Sequence, residues 1–118
     1  MTNLRVLMKS KITWIVLMAV MLATVPALVA ADTKETYDKS CAACHGKDGK
    51  ADTAAGKKLK AKDFTDAKVQ AGMKDEEMIK AIKEGIKEGD KTKMKGFGDK
   101  LSDDEIKQLI AYVRSFSK

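Results

Sequence analysis

Hydrophobic side chains along the chain form one long uncharged run, then three periodic stripes separated by polar segments. The run covers residues 12–25 and is followed by Pro26. The first stripe, Tyr37, Cys41 and Cys44, repeats at i, i+4 and i+7, which is one helical face, and predicts a short helix over residues 33–44. Met78, Ile79, Ile82 and Ile86 mark a second helix over residues 75–84, closed by Gly85 and Gly89. Ile106, Leu109, Ile110, Val113 and Phe116 mark a third. Its start is written out in full: Ser102 with Glu105 three residues on makes a capping box, and Leu101 with Ile106 makes a hydrophobic staple.

The segments between carry less information. Residues 47–62 read as a polar, Lys-rich loop with Leu59 as its single apolar anchor. Phe64, Val69 and Met73 punctuate a stretch of one or two helical turns, and residues 89–100 read as irregular, charged except for Met94 and Phe97. No segment alternates with the period of two that a half-buried strand shows. The expected fold class is all-α: three main helices joined by irregular loops.

The long run has its own meaning. Arg5, Lys9 and Lys11 precede it with no acidic residue among them, and Val29-Ala30-Ala31 supplies small residues at a cleavage site. A basic start, an apolar centre and a small-residue end make a secretory signal peptide over residues 1–31, with the mature chain starting at Asp32. The alternative is a retained membrane anchor, since residues 12–31 are long enough to span a bilayer. The remaining residues, 32–118, are room for one domain.

Charge follows the same division. The whole chain has a formal net charge of +6, and half of it comes from Arg5, Lys9 and Lys11. With neither an arginine cluster nor a series of stacking aromatics, nucleic-acid binding is not expected. A chain of residues 32–118 is small for a self-sufficient apolar core, and its aromatics are only Tyr37, Phe64, Phe97, Tyr112 and Phe116. A buried macrocycle would fill the centre that these side chains leave short.

The chemistry lies in Cys41-Ala42-Ala43-Cys44-His45, followed by Gly46. Two thiols three residues apart share one face of a helical turn, so each can add to one vinyl group of a haem, which brings His45 to the iron. A zinc site fails on counting, because the chain has two Cys and one His. A redox disulfide would leave His45 without a role, and no βαβ pattern surrounds the pair.

Residues 32–118 resemble a class I c-type cytochrome of the small bacterial monohaem kind. The resemblance is carried by Tyr37, by the block from Cys41 to Gly46, by the Asp48-Gly49 turn, by Met94-Lys95-Gly96-Phe97, and by Leu101 to Ile106 leading into Ala111-Tyr112-Val113-Arg114-Ser115. It implies the cytochrome c fold wrapped around one covalent haem c held by Cys41 and Cys44, with His45 and Met94 as axial ligands and electron transfer as the activity. The family's usual proline after the ligand methionine is Lys95 here.

The other residues agree with that assignment. The sole histidine lies inside the block, so coordination by two histidines of this chain is excluded, and a thioether is the next natural ligand. Met73 and Met78 sit where core packing is the expected role. Met94, between Lys93 and Lys95 in a Gly-bearing loop, has no periodic face to join. The expected protein is a monomeric periplasmic electron carrier of a respiratory chain, free of the membrane after cleavage and not an enzyme. The alternative is a five-coordinate haem protein that binds a small gas or acts on peroxide. Lys57, Lys58, Lys60 and Lys62, with Lys91, Lys93 and Lys95, form either a positive rim for acidic redox partner proteins or an ordinary solvated surface.

Overall fold

The three stripes become helices, and the polar stretches between them hold more order than their composition announces. A computed structural model describes residues 25–117. The expected signal segment over residues 1–31 lies almost wholly outside the described residues. Residues 32–118 form a compact unit of their own. No helix among the described residues is long and apolar enough to cross a membrane.

Helix α1 spans Val25–Ser40 and starts ahead of the expected position. Residues 27–32 contain no breaker, and Pro26 falls in the first turn, where its missing N–H costs little. The helix stops at Ser40 rather than running to Cys44; Cys41 is a turn residue, and α2, Ala42–His45, adds one further turn. Helix α3, Ala54–Leu59, occupies what the composition reads as loop. Thr53 caps it, its hydroxyl accepting the Gly56 N–H at 2.8 Å. Helix α4, Ala67–Gly72, is capped by Asp66, whose carboxylate accepts the Lys68 and Val69 N–H groups. Helix α5 spans Asp75–Glu84, as its stripe predicts, with Asp75, Glu76 and Glu77 complementing the positive helix start.

The next segment corrects the expectation of an irregular loop. Strands β1, Ile86–Glu88, and β2, Lys91–Met94, form an antiparallel hairpin that pairs Ile86 with Met94, Lys87 with Thr92 and Glu88 with Lys91, with an irregularity after Ile86. β1 is exposed throughout, so neither face had to be apolar and no alternation was written into the sequence. Helix α6, Asp103–Arg114, closes the fold with the expected capping box intact. Among the described residues, three main helices (α1, α5 and α6) and three short ones agree with the all-α expectation.

The core gathers Tyr37, Phe64, Met73, Met78, Ile106, Leu109, Ile110 and Val113, with Leu101 and Phe116 packed against it. Helices α1 and α6 meet through aromatic rings, Tyr37 lying 5.1 Å from Tyr112 and 5.3 Å from Phe116 between centroids. A polar clasp ties α6 to α4 and α5. Arg114 donates to the Gln70 and Met73 carbonyls at 2.7 and 2.6 Å and to the Asp75 carboxylate at 2.7 Å. Buried Gln70 donates in turn to the Phe64 and Val113 carbonyls at 2.7 and 2.9 Å.

The cap of α6 yields a test. Ser102→Ala removes the acceptor for the Glu105 N–H and should lower stability by about 1 kcal/mol in denaturant unfolding. The Ser102 backbone N–H, then its hydroxyl, hold the Glu105 carboxyl below its ordinary value. A depressed folded pKa contributes stability above the unfolded value and loses it as pH falls through the folded one. The gap between wild type and Ser102→Ala should therefore narrow as pH drops below about 4.3.

Candidate haem site

Residues 41–45 lie where α1 gives way to the single turn of α2. The helical hydrogen bonds run through the junction: Cys41 donates to the Tyr37 carbonyl at 2.8 Å and His45 to the Cys41 carbonyl at 2.9 Å. Cys41 and Cys44 are free thiols, both half-buried. Burial, and next the neighbouring Cys44, push the Cys41 thiol up to about 11. Burial thus disfavours the charged thiolate at this position.

His45 completes the turn. Its ring stacks on Phe64, with centroids 4.4 Å apart and planes 17° from parallel. Burial pushes its pKa down, with the Lys62 backbone acting weakly the other way, so the imidazole is held neutral with a lone pair to give. Its Nδ1 is buried and has no hydrogen-bond partner. Such an orphan costs about 1–3 kcal/mol. Two free thiols on one helical turn, beside a buried imidazole whose ring is stacked on Phe64, fit a covalently attached haem.

Sequence reasoning singles out these three residues but not the contacts that hold them. Thr53 donates its hydroxyl to the Cys44 carbonyl at 2.7 Å. Gly56 packs so closely that a Cβ there would overlap that same carbonyl oxygen. Ala51 donates its N–H to the His45 carbonyl at 2.8 Å, and Tyr37 its hydroxyl to the Gly46 carbonyl at 2.8 Å. Phe64 is fixed at both backbone ends, donating to the Gly49 carbonyl at 2.7 Å and accepting from Gln70. The available signals were Thr53 ahead of two alanines, and Phe64 as an isolated aromatic in a polar stretch.

The methionines divide as their patterns suggest. Met73 and Met78 are buried in the core cluster. Met94 is half-buried, at the end of β2. The structure thus brings Cys41, Cys44 and His45 together on one turn, while Met94 belongs to a different element.

Comparison with known proteins agrees with this arrangement. Residues 29–113 match the family described as cytochrome C oxidase, cbb3-type, subunit III. Among solved structures, the chain resembles the KustC0563 c-type cytochrome at 40% identity, covering 73% of this chain and 98% of that one, with a TM-score of 0.65. A tyrosine-to-phenylalanine mutant of Kustc0563 matches at 38% identity over 73% of this chain and 99% of its own, with a TM-score of 0.63. No curated protein matches the sequence. On the family match and on these neighbours, the chain belongs to the family described as cytochrome C oxidase, cbb3-type, subunit III, and is a small c-type cytochrome with the cytochrome c fold, working in haem-based electron transfer.

Proposed function

We propose that the protein is a periplasmic electron carrier, not an enzyme, with one haem c attached through Cys41 and Cys44 and its iron held between His45 and Met94. When bound, the haem supplies a one-electron couple at its iron. The chain's own residues anchor and tune it. Cys41 and Cys44 provide two thioether anchors from consecutive positions of one helical face. His45 gives its imidazole lone pair, with the ring plane held by Phe64. Met94 gives a sulfur lone pair, which favours the reduced state of a metal over the oxidised one.

The observation that carries this reading is the division of the methionines. After Asp32 the chain has Met73, Met78 and Met94; the first two are consumed by the core, and Met94 is outside the buried cluster. A thioether that the core leaves unclaimed is available as a ligand, and this supports Met94 as the residue that would hold the iron together with His45.

Exported protein carrying its haem is the material for the test. Wild type is expected to start at Asp32, to keep the mass of one haem after denaturation, and to show the weak sulfur-to-iron charge-transfer band of the ferric state. Met94→Ala should keep the haem mass, lose the band and titrate at a lower potential. Met73→Ala and Met78→Ala should keep the band while costing about 2–5 kcal/mol of stability as core truncations. A band that survives in Met94→Ala, or that wild type lacks, would overturn the assignment, the second result favouring a five-coordinate iron.

Lysines on and after α3, and on and after β2, support a redox partner with an acidic surface. Lys57 and Lys93 are already paired, with Asp52 at 2.7 Å and Glu88 at 3.0 Å. Lys58, Lys60, Lys62, Lys91 and Lys95 are exposed. Oxidation by ferricyanide, an anionic acceptor, should slow as salt rises, since screening shortens attraction to about 8 Å near physiological ionic strength. Replacing Lys91 and Lys95 by Gln should slow it further with little change in potential. A rate indifferent to both would leave these lysines as solvated surface.

A further inference from the structure

Around Met94 the backbone is packed closer than a side chain would allow. The segment 94–98 returns from the hairpin and runs against the last turn of α5. Phe97 donates its N–H to the Ile82 carbonyl at 2.7 Å, and Gly98 donates to the Lys83 carbonyl at 3.0 Å. Gly85 takes the Ala81 carbonyl at 2.8 Å. Three carbonyls that a helix end leaves unsatisfied are thus capped by the hairpin's two ends.

Three glycines permit this approach. A Cβ on Gly96 would stand 2.7 Å from the Glu84 carbonyl carbon and 2.7 Å from the Lys83 oxygen. On Gly98 it would meet the Lys83 oxygen at 2.9 Å. On Gly85 it would overlap the Met94 carbonyl oxygen, and Gly85 has φ +77, ψ −175, a conformation that L-residues rarely adopt. Every obstacle is a backbone atom, which cannot rotate aside. Helix α5 is itself fixed on α6, through buried Met78 in the shared core and through Lys83 with Asp103 at 2.6 Å.

We infer that Gly85, Gly96 and Gly98 are positioning residues for Met94: their side-chain-free seam holds the methionine's backbone against α5, so that its sulfur is offered to iron without a search. The inference rests on the reading of Met94 as a ligand. A methionine on a wandering loop would leave the iron for part of the time, and an exogenous ligand would take the vacated position in proportion to that population.

The experiment uses exported, haem-bearing protein with Gly96→Ala, Gly98→Ala, Met94→Ala and, as control, Gly72→Ala, where an added Cβ meets nothing within 4 Å. The sulfur-to-iron band and the affinity of the ferrous protein for carbon monoxide are read below each variant's unfolding temperature, and the cooperativity of unfolding is taken from a thermal scan through the transition. Gly72→Ala should match wild type. Gly96→Ala should unfold cooperatively, lose most of the band and bind carbon monoxide at least about tenfold more tightly. Gly98→Ala should move the same way by less, and it carries the test if Gly96→Ala does not fold. Loss of stability with band and carbon monoxide affinity unchanged would overturn the inference while leaving Met94 as ligand. A band persisting in Met94→Ala, or absent from wild type, would overturn both, and either result identifies the ligand assignment as the failure.

Discussion

One hydroxyl sets the geometry that the remainder of the structure follows. Tyr37 is fully buried, its ring packed against Tyr112 of α6 and Phe116 just beyond it, its O–H donated to the Gly46 carbonyl. The ring supplies most of the energy, since burying an aromatic outweighs the roughly 1 kcal/mol net of a single hydrogen bond. The hydroxyl supplies the register. A phenol sunk this deep must find an acceptor, and here the acceptor is the carbonyl directly after His45. Burial also drives the Tyr37 pKa well above its ordinary value, so the group remains a donor. Packing of the two end helices and placement of the haem block are therefore one condition.

A polar relay extends the same control to the other side of the block. Arg114 organises Gln70, Gln70 holds the Phe64 carbonyl, and the Phe64 ring lies flat on His45. Each member is satisfied by the next, which keeps a buried amide from becoming a penalty. The exposed ion pairs, such as Lys39 with Glu35, contribute much less, because water screens them. Precision at the imidazole thus comes from buried amides and rings and owes little to the abundant surface charge.

What could be read from the sequence depended on whether burial left a pattern. Helices α5 and α6 bury one face each, so their stripes and the Ser102–Glu105 cap were legible. The block from Cys41 to His45 was legible because its chemistry demands a fixed spacing. Helix α3 was not, since among its residues only Gly56 is buried and its lysines read as solvent-facing loop. The hairpin was hidden for a related reason: Ile86 is 45% exposed although it is a strand residue, and the pairing is dictated by backbone fit at Gly85 and Gly96. Phe64 showed only as an isolated aromatic and Gln70 not at all, because stacking and carbonyl clasping leave no periodic trace.

The meeting of α1 with α6 also has a consequence for the order in which the chain acquires structure. Thr33 reaches Gln108, and Tyr37 reaches Tyr112 and Phe116, so the decisive contacts join residues from opposite ends of the compact unit. Loop-closure entropy must be met before such contacts return anything. A chain made from its N-terminus presents the Cys41 and Cys44 thiols before the helix that packs on Tyr37 exists. Until residues 103–116 have been made, the chain lacks the partners that enclose Tyr37, and the turn bearing Cys41 and Cys44 stays more open than in the finished fold.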